Sequence, residues 1–283
     1  MSEIRKYAVQ HPLLKDYIRF FWEIHIEDAH LNHKLIPQRN ISLRFNLNDT
    51  PWFINLNGHQ HKLDDVFFSG LQDHFLNAHL KIEGKADVLG VSFLPHGFYP
   101  FFRIPVSEFK NQMPSISEIG FKNLKATAAK LKEVTDVTSR LAILEKELLL
   151  LLAAGDTSAR FFRPVFDTLE NCDNTQQIST FCKKNNIGLR NLERLYNRHV
   201  GIPASTFGKL NRFHKSLNQV LSSNFTLLSD VAYDNGYFDQ MHFIRDFKRF
   251  SGNTPKDFIR QNNSILQIGK LKYLSFLYYF NPL

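Results

Sequence analysis

Cysteine is almost missing from this chain. Cys172 and Cys182 are the only two, and their spacing fits no metal-site pattern. That excludes a disulfide framework and fits a reducing, cytoplasmic setting. Long apolar runs are missing too. The most apolar stretch, Leu148 to Ala154, follows Glu145, Lys146 and Glu147 and is far too short to span a bilayer, so no membrane partner is expected. No apolar segment follows the opening residues Met1 to Lys6, and no secretory signal is expected there. The sequence has no Ser-His-Asp order, no phosphate-binding glycine loop and no cysteine-nucleophile motif, so an enzyme is not expected.

Acidic charge is scarce in one place only. Residues 1–157 carry 18 Lys+Arg against 18 Asp+Glu, whereas residues 158–283 carry 17 against 9. The whole net charge of +8 therefore belongs to the second part. A basic domain beside a neutral one points to a polyanionic partner for the basic half.

What is present is ordinary globular material. A chain of 283 residues, 43% hydrophobic and 22% charged, has enough apolar side chains for two cores and suggests two domains. The run from Ile41 to Leu47 alternates apolar and polar with period two, as a half-buried strand does. Trp52, Ile54 and Leu56 continue such a face up to Asn57-Gly58, a pair suited to a type I′ hairpin turn. Val88 to Leu94 and Tyr17 to Ile26 read as further strands. After Pro114 the period changes, and Phe121 to Glu133 and Ser139 to Ala154 read as helices. Leu141, Leu144, Leu148 and Leu151 form a stripe that packs on its own domain or, less favoured, on a second copy of the chain.

The polar break from Gly155 to Ser158 sets the expected boundary. The fold class is α+β: a β-barrel or sandwich-like domain with following helices over 1–157, then an all-α domain over 158–262. An apolar tail of unknown role, 263–283, follows.

Two segments of the second domain share one layout, a short helix, a turn and a second helix. They run from Thr175 to Gly201 and from Thr226 to Gly252, with Ala204 to Leu221 as a connecting helix after Pro203. In the first, Leu192, Leu195, Tyr196 and His199 make a buried stripe facing Ile178, Phe181 and Cys182. Arg190, Arg194 and Arg198 recur on another face, where Arg suits guanine O6 and N7 in a major groove. A merely solvated basic face is the alternative on the stripe alone. In the second segment, Asn235-Gly236 is a natural stop and Asp239 an N-cap. Phe243, Phe247 and Phe250 form the buried stripe, with Gln240, His242, Arg245, Lys248 and Arg249 around it. Gln and Arg read bases, and Lys suits phosphate.

The stretch from Asp230 to Phe258 resembles the C-terminal signature of AraC-family transcription regulators. Gly236, Tyr237, Asp239, Gln240, His242, Phe243, Arg245, Phe247, Lys248, Gly252, Pro255 and Phe258 stand where that signature expects them. The first segment resembles the family's first helix-turn-helix at Leu192, Arg194, Leu195, Tyr196, Gly201 and Pro203. The resemblance covers about residues 160–262 and implies two recognition helices joined by a long helix. It places Arg190, Glu193 and Arg194 of the first helix, and Gln240, Met241, His242 and Arg245 of the second, toward bases. Arg198, Lys248 and Arg249 complete the expected DNA-binding set. Phe238 and Met241 depart from the family's small polar residues, leaving either apolar contact with a thymine methyl or weaker contact there.

The segment Gly90 to Tyr99, followed by Phe101 to Pro105, is loosely similar to the sensor domains of some AraC-like regulators. The resemblance implies a sequence-specific regulator, with activation the common outcome and RNA polymerase as a further partner. A small-molecule effector and a homodimer are the partners implied for the N-terminal domain; no cofactor is expected. His59, His61, His74, His79 and His96 read as polar histidines rather than a converging metal set. Trp22, Trp52, Phe93, Phe98 and Phe101 read as core rather than pocket lining. The competing reading is a metal- or substrate-binding β-barrel enzyme fused to a DNA-binding tail.

Overall fold

The structure is a computed structural model that describes residues 4–114, 116–153, 159–222 and 226–266. The first part is built on one antiparallel sheet of seven strands. In chain order these are β1 (Arg5–Tyr7), β2 (Ile18–Lys34), β3 (Ser42–Asn46), β4 (Trp52–Leu56), β5 (His59–Lys62), β6 (Val66–Ser69) and β7 (Ala78–Phe93). The two long strands β2 and β7 pair along most of their length, with a register shift between Ile26 and Ala29. The other edge of β7 takes β3 near its end and β4 near its start. Asn57 and Gly58 join β4 to β5 with φ of 52° and 92°, both left-handed, as a type I′ turn requires.

Period-two alternation sends side chains to two separate cores. Trp22, Ile24, Trp52, Ile54, Phe67 and Val88 pack on one face. Trp52 and Phe67 are not on paired strands, yet their rings lie 5.8 Å apart, so the sheet curls over this face. Arg44 of β3 is buried there between the rings of Trp22 and Phe67, its guanidinium carbon 5.8 Å from each centroid. Burial pulls its pKa down to about 10. The expected barrel- or sandwich-like β domain is formed by one curled antiparallel sheet.

The other face carries Phe21, Leu43, Phe45, Phe68, Leu89, Val91 and Phe93. Helices cover it. The short α1 (Pro12–Lys15), α2 (Tyr99–Phe102) and α3 (Ile116–Ile119) lead to α4 (Lys122–Glu133) and α5 (Val137–Ala153), with a 3₁₀ turn at Val106–Phe109. Phe68, Phe93, Phe98 and Phe102 form an edge-to-face aromatic cluster under α2, with centroids 5.2–6.0 Å apart for the edge-on pairs. On α5, Leu144 and Leu148 are fully buried in this same core, so the leucine stripe is engaged within the chain.

The second part is helical: α6 (Ala159–Leu169), α7 (Thr175–Lys184), α8 (Leu189–His199), α9 (Ala204–Leu221), α10 (Leu228–Asp234), α11 (Gln240–Ser251) and α12 (Pro255–Leu266). Its apolar side chains belong to the same continuous core as the helix-covered face of the sheet. The expected boundary, 155–158, and most of the expected tail, 267–283, lie outside the described residues. Among the described residues no helix is long and apolar enough to cross a membrane.

Candidate nucleic-acid interface

Two copies of one local device stand in the helical part. α7 ends where Asn185 donates from its backbone to Phe181 O, and Ile187 N to Cys182 O, with Asn186 left-handed at φ 52°. Fifty residues on, Asn235 N donates to Val231 O and Tyr237 N to Ala232 O, with Gly236 left-handed at φ 71°. The side-chain amides of Asn185 and Asn235 also repeat, donating to Phe181 O and Val231 O at 2.9 and 2.8 Å. Each turn closes one helix by satisfying its last carbonyls and turns the chain into the next.

The helices that follow match at an offset of 51. α8 starts after Gly188 and α11 after Asp239, whose carboxylate accepts from His242 N at 2.6 Å, as a capping residue should. The buried sides are Leu192, Tyr196 and His199 in α8, and Phe243, Phe247 and Phe250 in α11. The outward positions correspond as Arg190 with Met241, Arg194 with Arg245, and Arg198 with Arg249.

Arg190, Glu193 and Arg194 are exposed. Arg194 is steadied by Asn191, whose side-chain oxygen accepts from Nη2 at 2.9 Å. Gln240, Met241, Arg245 and Lys248 are exposed as well, and Arg245 Nε donates to Met241 O at 3.4 Å. Three expected residues point elsewhere. Arg198 is half-buried with its guanidinium over the Tyr99 ring, 5.6 Å from the centroid. Arg249 donates from Nη2 to Asp73 O at 3.3 Å, while its own carbonyl accepts from Phe75 N at 2.8 Å. Both therefore meet the N-terminal domain, at equivalent places on the two helices. His242 is half-buried, edge-on to Tyr237 and 3.5 Å from Asp246.

The long helix α9 holds the two units together. Arg212 lies on it with its side chain only 11% exposed. One terminal nitrogen pairs with Asp173, in the turn before α7, and the other lies 2.9 Å from Asp246 on α11. The guanidinium also covers the Tyr237 ring at 4.3 Å and reaches His242 Nε2 at 3.2 Å. Burial pushes the Tyr237 hydroxyl up to about 12, which keeps it neutral beside Arg212. Gln219 binds Asp234, and Asn235 donates to Gln219, at 2.8 and 2.7 Å. Gly208 lets α9 approach the turn before α7: a Cβ there would stand 2.3 Å from Cys172 O. Sequence reasoning missed Arg212, because its four partners, Asp173, Asp246, Tyr237 and His242, are distant along the chain.

The N-terminal domain touches α8, α9 and α11. His199 is flanked by Phe162, stacked at 4.7 Å, and by Tyr99, edge-on at 4.8 Å. Gly252 caps α11 at φ 76°, and a Cβ there would stand 2.6 Å from the Phe75 ring. On α9, Asn211 accepts from Arg39 at 3.3 Å, and the His214 ring nitrogen donates to Pro37 O at 2.8 Å. Burial, and the nearby Arg39 charge, hold His214 well below the ordinary imidazole range.

His59 and His61 are exposed on β5, and His96 is buried against Phe166. Among the described residues no three His, Cys, Asp or Glu side chains are grouped to hold a metal ion.

Residues 181–261 match a family described as a helix-turn-helix domain. Residues 10–115 match a family described as a domain of unknown function, DUF6597. No curated protein matched the chain. Among solved structures, ToxT from Vibrio cholerae O395 is similar at 7% identity and a TM-score of 0.42, over 92% of this chain and 96% of that one. ToxT from Vibrio cholerae strain SCE256 with a bound unsaturated fatty acid is similar at 9% identity and a TM-score of 0.38, over 91% and 94%. An RmlC-like cupin from Shewanella frigidimarina NCIMB 400 covers 32% of this chain and 75% of its own, at 10% identity and a TM-score of 0.23. Likenesses this remote say nothing of ligand or activity.

Proposed function

We propose that this chain, whose residues 181–261 are an AraC-type helix-turn-helix domain, is a sequence-specific DNA-binding transcription regulator. α8 and α11 enter successive major-groove segments on one face of the duplex. The observation that supports this most is the repeated turn-and-helix device with Arg194 and Arg245 exposed at equivalent positions. An 18-residue α9 spans about 27 Å at 1.5 Å per residue, close to one duplex turn of about 34 Å. Arg190, Glu193, Arg194, Gln240, Met241 and Arg245 face bases in this reading, and Lys248 faces phosphate.

The N-terminal domain is the regulatory part. It packs on α8, α9 and α11 at once, so a change in it reaches both recognition helices. A small-molecule effector acting there raises or lowers DNA affinity through these contacts. Activation, through contact with RNA polymerase, rests on the family resemblance.

Selection of bound sites from a random DNA pool by the full chain tests the reading. Two enriched elements about one helical turn apart are expected. Retention of DNA with no enriched sequence overturns it.

A further inference from the structure

The two units share one register, yet they do not present the same chemistry. At the first outward position of the helix, α8 has Arg190 and α11 has Met241. Met241 is 60% exposed, and three residues earlier Phe238 is 92% exposed at the mouth of the same helix. The equivalent of Phe238 in the first unit's turn is Gly188 or Ile187, depending on whether the turn or helix offset is used. The polar groups nearby do not compensate. His242 is engaged with Arg212 and Asp246, and Arg249 with Asp73. What α11 offers outward at its N-terminal end is therefore two apolar side chains, with Gln240 and Arg245 beside them.

An exposed Phe just ahead of a basic helix and an exposed Met in its first turn match an apolar surface inside an anionic partner. In a major groove one group answers that description, the 5-methyl of thymine; guanine, cytosine and adenine present only donors and acceptors there. Lys248, exposed on the same helix, supplies the charge complement to phosphate. We propose that the second unit reads thymine methyl groups through Met241 and Phe238, while the first unit reads by the guanidinium groups of Arg190 and Arg194. The inference rests on the DNA-binding reading above and adds the kind of base that one half of the site must contain.

The test uses the full chain and the site selected from random DNA. The half read by α8 is identified as the one whose base preference relaxes in Arg194→Ala. Deoxyuridine, which lacks only the methyl group, then replaces thymidine in one half at a time. Replacement in the half read by α11 is expected to weaken binding about fourfold per contacted methyl, the worth of one buried carbon. Replacement in the other half is expected to change it less than about twofold, as for a contact through polar edges alone. Met241→Ala and Phe238→Ala, both at exposed positions that leave folding intact, should each weaken binding to the thymidine site, and the double variant carrying both should respond no further to deoxyuridine. The proposal is overturned if deoxyuridine is tolerated in both halves, or if its effect persists undiminished in the double variant. Unchanged DNA affinity in both variants overturns it too. If no site is enriched, the DNA-binding reading itself falls and this inference with it.

Discussion

Arg212 Nη2 on α9 lies 2.9 Å from the Asp246 carboxylate on α11, while Nη1 pairs with Asp173 ahead of α7. One guanidinium thus ties both helix-turn-helix units to the helix between them. Its side chain is 11% exposed and that of Asp246 13%, so neither charge is well solvated. Removing one partner of such a set leaves the others buried without a counter-charge. Arg212→Ala is expected to cost about 3–5 kcal/mol in denaturant unfolding. The combined loss with Asp246→Ala should fall well short of the two single losses added together. A cost under about 1 kcal/mol would mark the pair as surface-like.

Arg194 is exposed and held in place by Asn191. Arg194→Ala should weaken specific DNA binding by about 1–3 kcal/mol and relax preference at one base position. Titration against the selected site and its single-base variants measures both. Unchanged specific affinity would remove Arg194 from the reading surface.

Lys248 stands exposed beside Arg245 and is expected to meet phosphate. Lys248→Ala should lower affinity for all sequences alike and reduce the salt slope by about 1. Binding measured across a salt series decides it, and a loss confined to one sequence would contradict the assignment.

Phe247 is fully buried and touches Phe213, Phe243 and Phe258, with ring centroids 5.3–5.5 Å away. Phe247→Ala should destabilise the helical part by about 3–5 kcal/mol through the lost contacts and the cavity left behind. Normal melting of that variant would mean that α11 is rotated from the phase described.

Two buried histidines make stability depend on pH. Burial pulls the His96 imidazole down to about 4 and holds His214 lower than usual as well. Each ring is neutral when folded, whereas in the unfolded chain it takes up a proton near about 6.5. The His96 contribution is complete above about pH 6.5 and is lost as pH falls toward about 4, at up to about 1.4 kcal/mol per pH unit, and that of His214 is lost in the same direction. Melting followed from pH 7 to 4 should show this decline, and His96→Phe should make it shallower. An equally steep decline in that variant would assign the pH dependence to other groups.

The local elements were legible wherever short-range chemistry dictates them. Pro203 and the apolar spacing give α9 its observed bounds, Ala204–Leu221. Asp239 caps α11, and Asn57-Gly58 turns the hairpin, as their side chains and backbone preferences require. The long strands were read too short. β2 continues through Glu27 and Asp28, and β7 begins at Ala78 and runs through Lys81, Glu83 and Lys85. Those polar residues look like loop in sequence, but they are the outward half of strands whose other half is buried. β6, Val66–Ser69, is buried throughout and so shows no alternation to detect. At the interface, periodicity identified the outward faces of α8 and α11. It could not show that Arg198 and Arg249 meet Tyr99 and Asp73, because such pairings join residues about a hundred or more positions apart.

The rigidity of α9 has a consequence for any operator. A buried helix of 18 residues, fastened at Arg212 and Gln219, does not stretch. Inserting one base pair between two half-sites moves them apart by about 3.4 Å and swings one around the duplex axis by about 35°, since a turn takes about 10 to 10.5 base pairs. The chain would meet that change chiefly as a loss of angular phase, so the tolerated spacings should be few and should recur with the winding of the double helix.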